Sequence, residues 1–161
     1  MSLSQQDVLI LFQKKKLAIQ SGSIQFPLHG EAIVIELETE DGRFKFQADV
    51  NRKNSKSLDK ITYQNRYNKC YIIRRLDFGD SHQNPPANPP DEIFRTYTNA
   101  LIKEPHVHFY FENFDARWAL PLKEVLELNI DQSTDDWYTV MEKFFKYCNI
   151  EGYSIAKLLF T

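Results

Sequence analysis

Along residues 4–20, Val8, Leu11, Phe12 and Ile19 recur at helical spacing, which predicts an N-terminal helix. Ser4 with Asp7 three residues on has the form of a capping box. Lys14, Lys15 and Lys16 fall near the far end, where positive charge suits the helix dipole, and Ser21-Gly22-Ser23 provides a stop. The period then changes from 3.6 to two. Ile33, Ile35 and Leu37 share one face of 31–38. Phe44, Phe46, Ala48 and Val50 alternate with Arg43, Lys45, Gln47 and Asp49. Glu40-Asp41-Gly42 between them predicts a hairpin turn. Residues 51–58 are polar and read as a loop.

A second hairpin spans 61–67 and 70–78 around Asn68-Lys69. Ile61, Tyr63 and Tyr67 alternate with Thr62, Gln64 and Arg66. On the return arm Ile72, Leu76 and Phe78 share a face with Arg74, and Ile73, Arg75 and Asp77 face the other way. Residues 79–90 hold Pro85, Pro86, Pro89 and Pro90, each lacking an amide donor, and so cannot be a central strand or a helix interior. Residues 91–101 leave a short helix and an irregular path both open. A third hairpin, 105–112 and 116–122, turns at Asn113-Phe114-Asp115, with Val107, Phe109 and Phe111 opposed to His106, His108 and Tyr110. A final helix is predicted from a Ser133 cap, with Asp136 three residues on. Trp137, Met141, Phe144, Phe145 and Cys148 lie on one face and Asn149 at the C-terminal cap. Ile155, Leu158 and Leu159 repeat at helical spacing in a tail that should pack back on the body.

Helix, about six antiparallel strands and helix, with no repeat and no internal boundary, predict one α+β domain over residues 1–161. The expected form is a curved antiparallel sheet or half-barrel with an N-terminal and a C-terminal helix. Aromatic content of 14% supports sheet, because aromatic side chains suit half-buried pleated surfaces. The formal net charge of -2 supplies no global positive field, so any nucleic-acid contact needs a local patch. Two cysteines are too few for a disulfide framework. No apolar run approaches the roughly 20 residues that span a bilayer, and no signal peptide is visible. A cytoplasmic chain without membrane contact is expected, and no cofactor motif is present. Met1-Ser2-Leu3 receives no structural role.

Residues i and i+2 of a strand point the same way, so Pro105-His106-Val107-His108 sets two imidazoles side by side. Paired imidazoles suit metal binding or acid–base work near neutral pH, although alternation alone also places polar residues there. Further metal ligands would come from His82, Asp77 and Asp80. With no Cys-x-x-Cys or His-Glu-x-x-His pattern, no metal is assigned. Lys60, Thr62, Gln64 and Arg66 share a strand face, with Arg74 and Arg75 following. With Tyr63, Tyr67 and Tyr71 they form a combination that can clamp phosphate and stack bases, or simply a solvated face over core tyrosines. Leu76-Asp77-Phe78-Gly79-Asp80-Ser81-His82-Gln83-Asn84-Pro85 displays Asp, Ser, His and Asn at a strand end. A Ser81-His82-Asp77 triad lacks the strained nucleophile turn it would need.

The ordered series Ile61-Thr62-Tyr63-Gln64-Asn65-Arg66-Tyr67, Arg75-Leu76-Asp77-Phe78-Gly79, His82-Gln83-Asn84-Pro85, Pro105-His106-Val107-His108-Phe109-Tyr110, Trp118-Ala119-Leu120-Pro121-Leu122 and Phe145-Lys146-Tyr147-Cys148-Asn149 resembles a family of small bacterial and phage proteins catalogued only as a domain of unknown function. The match spans about residues 60–150. The family pattern follows His-x-Asn-Pro with Asp-Gly and reaches Pro-His-x-His quickly; here residues 86–104 are longer and lack Asp-Gly. The resemblance implies a bacterial or phage source and groups His82, Asn84, His106, His108, Arg66 and Arg75, without supplying an activity.

Three functions follow as expectations. The first is a binding or regulatory module of a mobile-element or defence locus, contacting nucleic acid or a protein partner through Arg66, Arg74, Arg75, Tyr63, Gln64 and Asn84. The second is a toxin-like, metal-independent endoribonuclease in which His82, His106 and His108 supply acid and base and Arg66 or Arg75 holds phosphate. The third is a metal protein ligated by His82, His106 and His108.

Overall fold

The computed structural model describes residues 2–53 and 59–157. Helix α1 (Gln5–Gln13) begins at the predicted cap, where Ser4 Oγ accepts the Asp7 N–H at 3.1 Å. It ends well before residue 20. Lys14 turns to an extended conformation, and β1 (Lys16–Ala18) joins a sheet instead. Lys16, expected on a wet helix end, is buried. Its Nζ donates to the carbonyls of Phe12, Lys14 and Cys148 at 2.7–2.9 Å. One ammonium thus satisfies orphan carbonyls at two helix ends. Burial pushes its pKa down to about 8. Ile19 lies beyond the helix, half exposed. Ser2 and Leu3 are tied down: the Leu3 N–H donates to Tyr110 Oη at 3.0 Å, and the Ser2 and Tyr110 hydroxyls meet at 3.3 Å.

β2 (Ile24–Gln25) stands apart. Then come β3 (Ala32–Glu38), β4 (Lys45–Asn51), β5 (Ile61–Tyr67) and β6 (Tyr71–Phe78), paired antiparallel in sequence order. The β5–β6 turn uses Asn68 and Lys69, both at positive φ, as a two-residue hairpin demands. β7 (His82–Gln83) pairs with β8 (Leu101–Ile102) beyond the proline-rich loop, with the short helix α2 (Glu92–Arg95) between them. β9 (His106–Phe111) and β10 (Asp115–Pro121) form the third hairpin. After α3 (Trp137–Tyr147) follow β11 (Ile150–Glu151) and β12 (Ile155–Ala156). The main sheet is open and eight-stranded, in the order β10-β9-β6-β5-β4-β3-β1-β11, with β12-β2 and β7-β8 as small ribbons. These are more strands than the six expected. The tail over 152–157 carries β12 rather than a helical turn; Leu158 and Leu159, and the expected loop at 54–58, lie outside the described residues.

One sheet face packs on α3. Ile35, Leu37, Phe46, Val50, Tyr63 and Leu76 belong to the same buried cluster as Val140, Met141, Phe144 and Phe145. Burying side chains of this size is worth roughly 1.5–3 kcal/mol each, so this face fixes the register of the strands. α3 starts later than predicted: Asp136 is its cap, accepting the Thr139 N–H at 2.8 Å, while Ser133 bonds Asp131. The C-terminal cap is Cys148, one residue before the expected Asn149, which follows it at φ 59°. A bulge in β6 changes one prediction. Asn65 pairs with Arg74 but Arg66 with Ile72, so Ile73 is left unpaired. Ile73 is buried against Val8 and Tyr110, and Ile72 crosses to the face of Arg75 and Asp77. No described helix is long and apolar enough to cross a membrane.

Candidate functional site

The second face of the sheet carries the polar alternates of the same strands. Register lines them up across four of them. Asn51, Thr62, Asp77 and His106 form one cross-strand row, and Asp49, Gln64, Arg75 and His108 the next. Asp77 therefore sits directly opposite His106, and Arg75 opposite His108. The predicted pairing of the two imidazoles holds, with ring centroids 5.0 Å apart, but the expected wet face does not: His106 is 1% exposed and His108 6%.

His82 reaches them along the edge of the sheet. Gly79, at φ +76°, turns the chain out of β6 so close to the 59–60 backbone that a Cβ would lie 2.8 Å from the Asp59 carbonyl oxygen. The chain then runs beside edge strand β10. His82 Nε2 donates to the Arg117 carbonyl at 2.7 Å, and Asn84 makes two bonds to the Ala119 backbone at 2.8 and 2.9 Å. These contacts cover an edge that would otherwise offer free backbone groups. They bring the His82 ring within 4.5 Å of His108 and 5.9 Å of His106, centroid to centroid. The three imidazoles, Asp77 and Arg75, with Ile72, Asp80, Ser81 and Arg117 around them, line a cleft of about 330 Å³.

Hydrogen bonding determines which atoms face inward. His106 Nδ1 donates to the Glu104 carbonyl and His108 Nδ1 to the Ala116 carbonyl, both at 2.9 Å. A carbonyl only accepts, so each Nδ1 carries the proton and each Nε2 of a neutral ring presents a lone pair. Both lone pairs converge on Asp77 Oδ2, at 3.5 Å from His106 and 3.1 Å from His108. His106 Nε2 is fully buried and makes no hydrogen bond among the described residues. Asp77 Oδ1 is turned away and held by Thr62 Oγ1 at 2.7 Å and Arg75 Nε at 3.0 Å. Three lone-pair atoms that share a buried point require a cation between them. Protons are one solution. Burial alone would raise the Asp77 carboxyl, but the His106 and His108 rings facing it, with Arg75 beside it, hold it well below the usual carboxylate range. Burial would lower His106, but the Asp77 carboxylate and the Glu104 carbonyl raise it. His82 is lowered by burial and by the neighbouring imidazoles. A metal ion is the other solution. The three atoms lie within 4.8 Å of one another, and ligand atoms at about 2.1 Å from one ion lie about 3–3.5 Å apart.

The other expected residues are placed as follows. Arg75 borders the cleft. Gln64 and Arg66 stand on the same face, Gln64 in the row of Arg75 and His108 and Arg66 one row beyond, both bound to Asp49, with Arg66 Nε 2.7 Å from Oδ2. Three residues do not join the cluster. Tyr63 is sealed in the core, its hydroxyl donating to the Trp137 carbonyl at 2.7 Å. Arg74 is buried, its guanidinium stacked on Phe12 and Phe109. Asn84 is 1% exposed and spends its amide on the edge strand. The Ser81-His82-Asp77 triad does not form: the described hydrogen bonds of Ser81 and His82 go to Asp80 and to the Arg117 carbonyl. Ile72 and Arg117 are site residues that the sequence does not point to, and Thr62 is one that it places only on the strand face of Lys60, Gln64 and Arg66. Thr62 shares a strand face with Gln64 and Arg66, which was a usable signal. Ile72 arrives through the bulge and Arg117 through a backbone carbonyl, and neither has one.

An open antiparallel α+β sheet with a buried His-His-Asp cluster on the face opposite α3 defines the class of protein. The chain belongs to the family described as Family of unknown function (DUF6978), whose model matches residues 3–150. No curated protein and no solved structure matches it.

Proposed function

We propose that this chain is a metal-dependent module acting on nucleic acid, with a divalent transition-metal ion held by Asp77 Oδ2, His106 Nε2 and His108 Nε2. One observation carries the reading: two histidines whose Nδ1 protons are committed to backbone carbonyls aim their Nε2 atoms at one carboxylate oxygen, His108 at 3.1 Å and His106 at 3.5 Å. Metal-binding imidazoles are oriented in this way, through the opposite ring nitrogen, and ligating carboxylates are held by their other oxygen, as Thr62 and Arg75 hold Asp77. Two nitrogens and one oxygen suit zinc, iron, nickel or manganese and leave positions open toward the cleft. An ion there would supply Lewis acidity for hydrolysis of a phosphodiester. Arg75, about one-third exposed beside the ligands, would orient the phosphate through its planar fork, with Arg66 and Gln64 further along the same face. A part in a mobile-element or defence locus of a bacterium or phage would rest on this chemistry.

A second reading is favoured by the opposite shifts of His82 and His106. A lowered and a raised imidazole side by side are a ready base and acid, as metal-independent RNA cleavage requires. One preparation separates the two. Protein purified without chelator is assayed for metal, then for cleavage of single-stranded RNA and DNA with and without EDTA. The metal reading requires one ion per chain and cleavage that EDTA removes. Metal-free cleavage of RNA alone, abolished by His82→Ala, selects the second. Protein with neither metal nor cleavage is left with a binding role.

A further inference from the structure

We infer that a second site, an aromatic groove between α1 and α2, docks a basic amphipathic helix of a partner protein. The groove is about 790 Å³, more than twice the histidine cleft. Its floor is aromatic: Phe94 packs edge-on against Phe109 at 5.5 Å and Phe111 at 5.1 Å, with Phe12 alongside. Its walls leave Leu9 51% and Ile93 44% exposed, two large apolar side chains that line the same groove. Helical partners lay apolar anchors at i, i+3, i+4 and i+7 into grooves of this character.

Charge decides which helix fits. Asp91, Glu112, Glu124 and Glu127 surround the floor. Their described bonds go to neutral groups: Asp91 to the Ile93 N–H, Glu112 to the Gln5 N–H and Glu124 to the Tyr97 hydroxyl. None of the four forms an ion pair among the described residues. Among the described residues the one cation lining the groove is Arg74, buried beneath it with its guanidinium 4.0 Å from the Phe12 ring centre and 4.6 Å from that of Phe109. A rim of four unneutralised carboxylates repels acidic or phosphorylated ligands and attracts Lys and Arg flanking an apolar stripe. The groove and the histidine cleft share no lining residue, so a partner seated here leaves the histidine cleft open. The groove therefore serves recruitment or regulation.

The test uses the full chain and a labelled synthetic helix of about 16 leucines and lysines with the leucines at helical spacing. Its control is a peptide of the same composition with the leucines scrambled. Fluorescence anisotropy should show the amphipathic peptide binding at least about tenfold more tightly than the scrambled one. Ile93→Asp and, separately, Glu127→Lys should each weaken binding about tenfold, whereas Glu40→Lys, away from the groove, should leave it unchanged. Glu127 is exposed with no described partner, so its replacement keeps the fold intact if Ile93→Asp does not. Equal binding of the two peptides, or insensitivity to Glu127→Lys, overturns the proposal. Concentration-dependent self-association abolished by the same substitutions also overturns it, in favour of a second copy of this chain.

Discussion

At the scale of single residues, the site is governed by which lone pairs face inward. Thr62 binds no cation in this scheme but holds Asp77 Oδ1, so that Oδ2 points at the imidazoles. Thr62→Val should therefore lower metal affinity about 10- to 100-fold with the ligand set intact, as titration calorimetry would show. Unchanged affinity would mean that Asp77 is oriented by Arg75 alone. Gly79 is constrained twice over, by its positive φ and by contact with the 59–60 backbone. Gly79→Ala should cost about 1–3 kcal/mol in urea unfolding and displace His82 with the loop. Part of this was legible beforehand. The i, i+2 histidines had to share a face, and Asp77 shared one with Arg75. Which oxygen of Asp77 faces which nitrogen depends on Thr62, in a different strand, and on backbone carbonyls that carry no side-chain signature.

At the scale of elements, the hairpins were readable because each announces itself twice, by period-two alternation and by residues that tolerate positive φ at the turn, such as Gly42, Asn68 and Asn113. What could not be read were features set by distant partners. Helix α1 stops at Gln13 because residues 16–18 gain strand partners on both sides, from β3 and β11. The β6 bulge answers to Val8 and Tyr110, which cover Ile73. The loop of residues 79–90 was legible as irregular, but not as the cover of an edge strand. Asn84 does that work: its carboxamide meets both the N–H and the C=O of Ala119. Asn84→Ala should leave both unsatisfied at about 1–3 kcal/mol each, a loss visible in thermal melts, while metal titration should change little because the three ligands lie in β6 and β9. At the other end of the chain, Asp136→Ala removes the α3 cap and should cost about 1 kcal/mol without touching the cleft.

At the scale of the whole molecule, the two sheet faces divide the labour. One packs on α3 and sets the register; the register places Asp77 and Arg75 opposite His106 and His108 on the other. The cost of the arrangement should appear in the pH dependence of the metal-free protein. Asp77 is lowered from 3.8, so the stability it contributes is present above pH 3.8 and lost as the pH falls toward its folded value. His106 is raised from 6.5, so its contribution is complete below pH 6.5 and lost as the pH rises through its folded value. The combined contribution of Asp77 and His106 should thus be greatest between pH 3.8 and 6.5, opposed by His82, whose lowered value costs stability as the pH falls below 6.5, and His106→Ala should flatten the alkaline side of the profile. Added metal competes with these protons and should stabilise most at the alkaline end, by about 2.7 kcal/mol at a free concentration one hundred times Kd.

The central claim is that the convergence of Asp77, His106 and His108 exists to hold a metal ion. Elemental analysis of the native chain, prepared without chelator and set beside His106→Ala, tests it most directly. The account predicts one transition-metal ion per native chain and none retained by the variant. Native protein without bound metal that also fails to take up zinc, manganese, iron or nickel at neutral pH would contradict it.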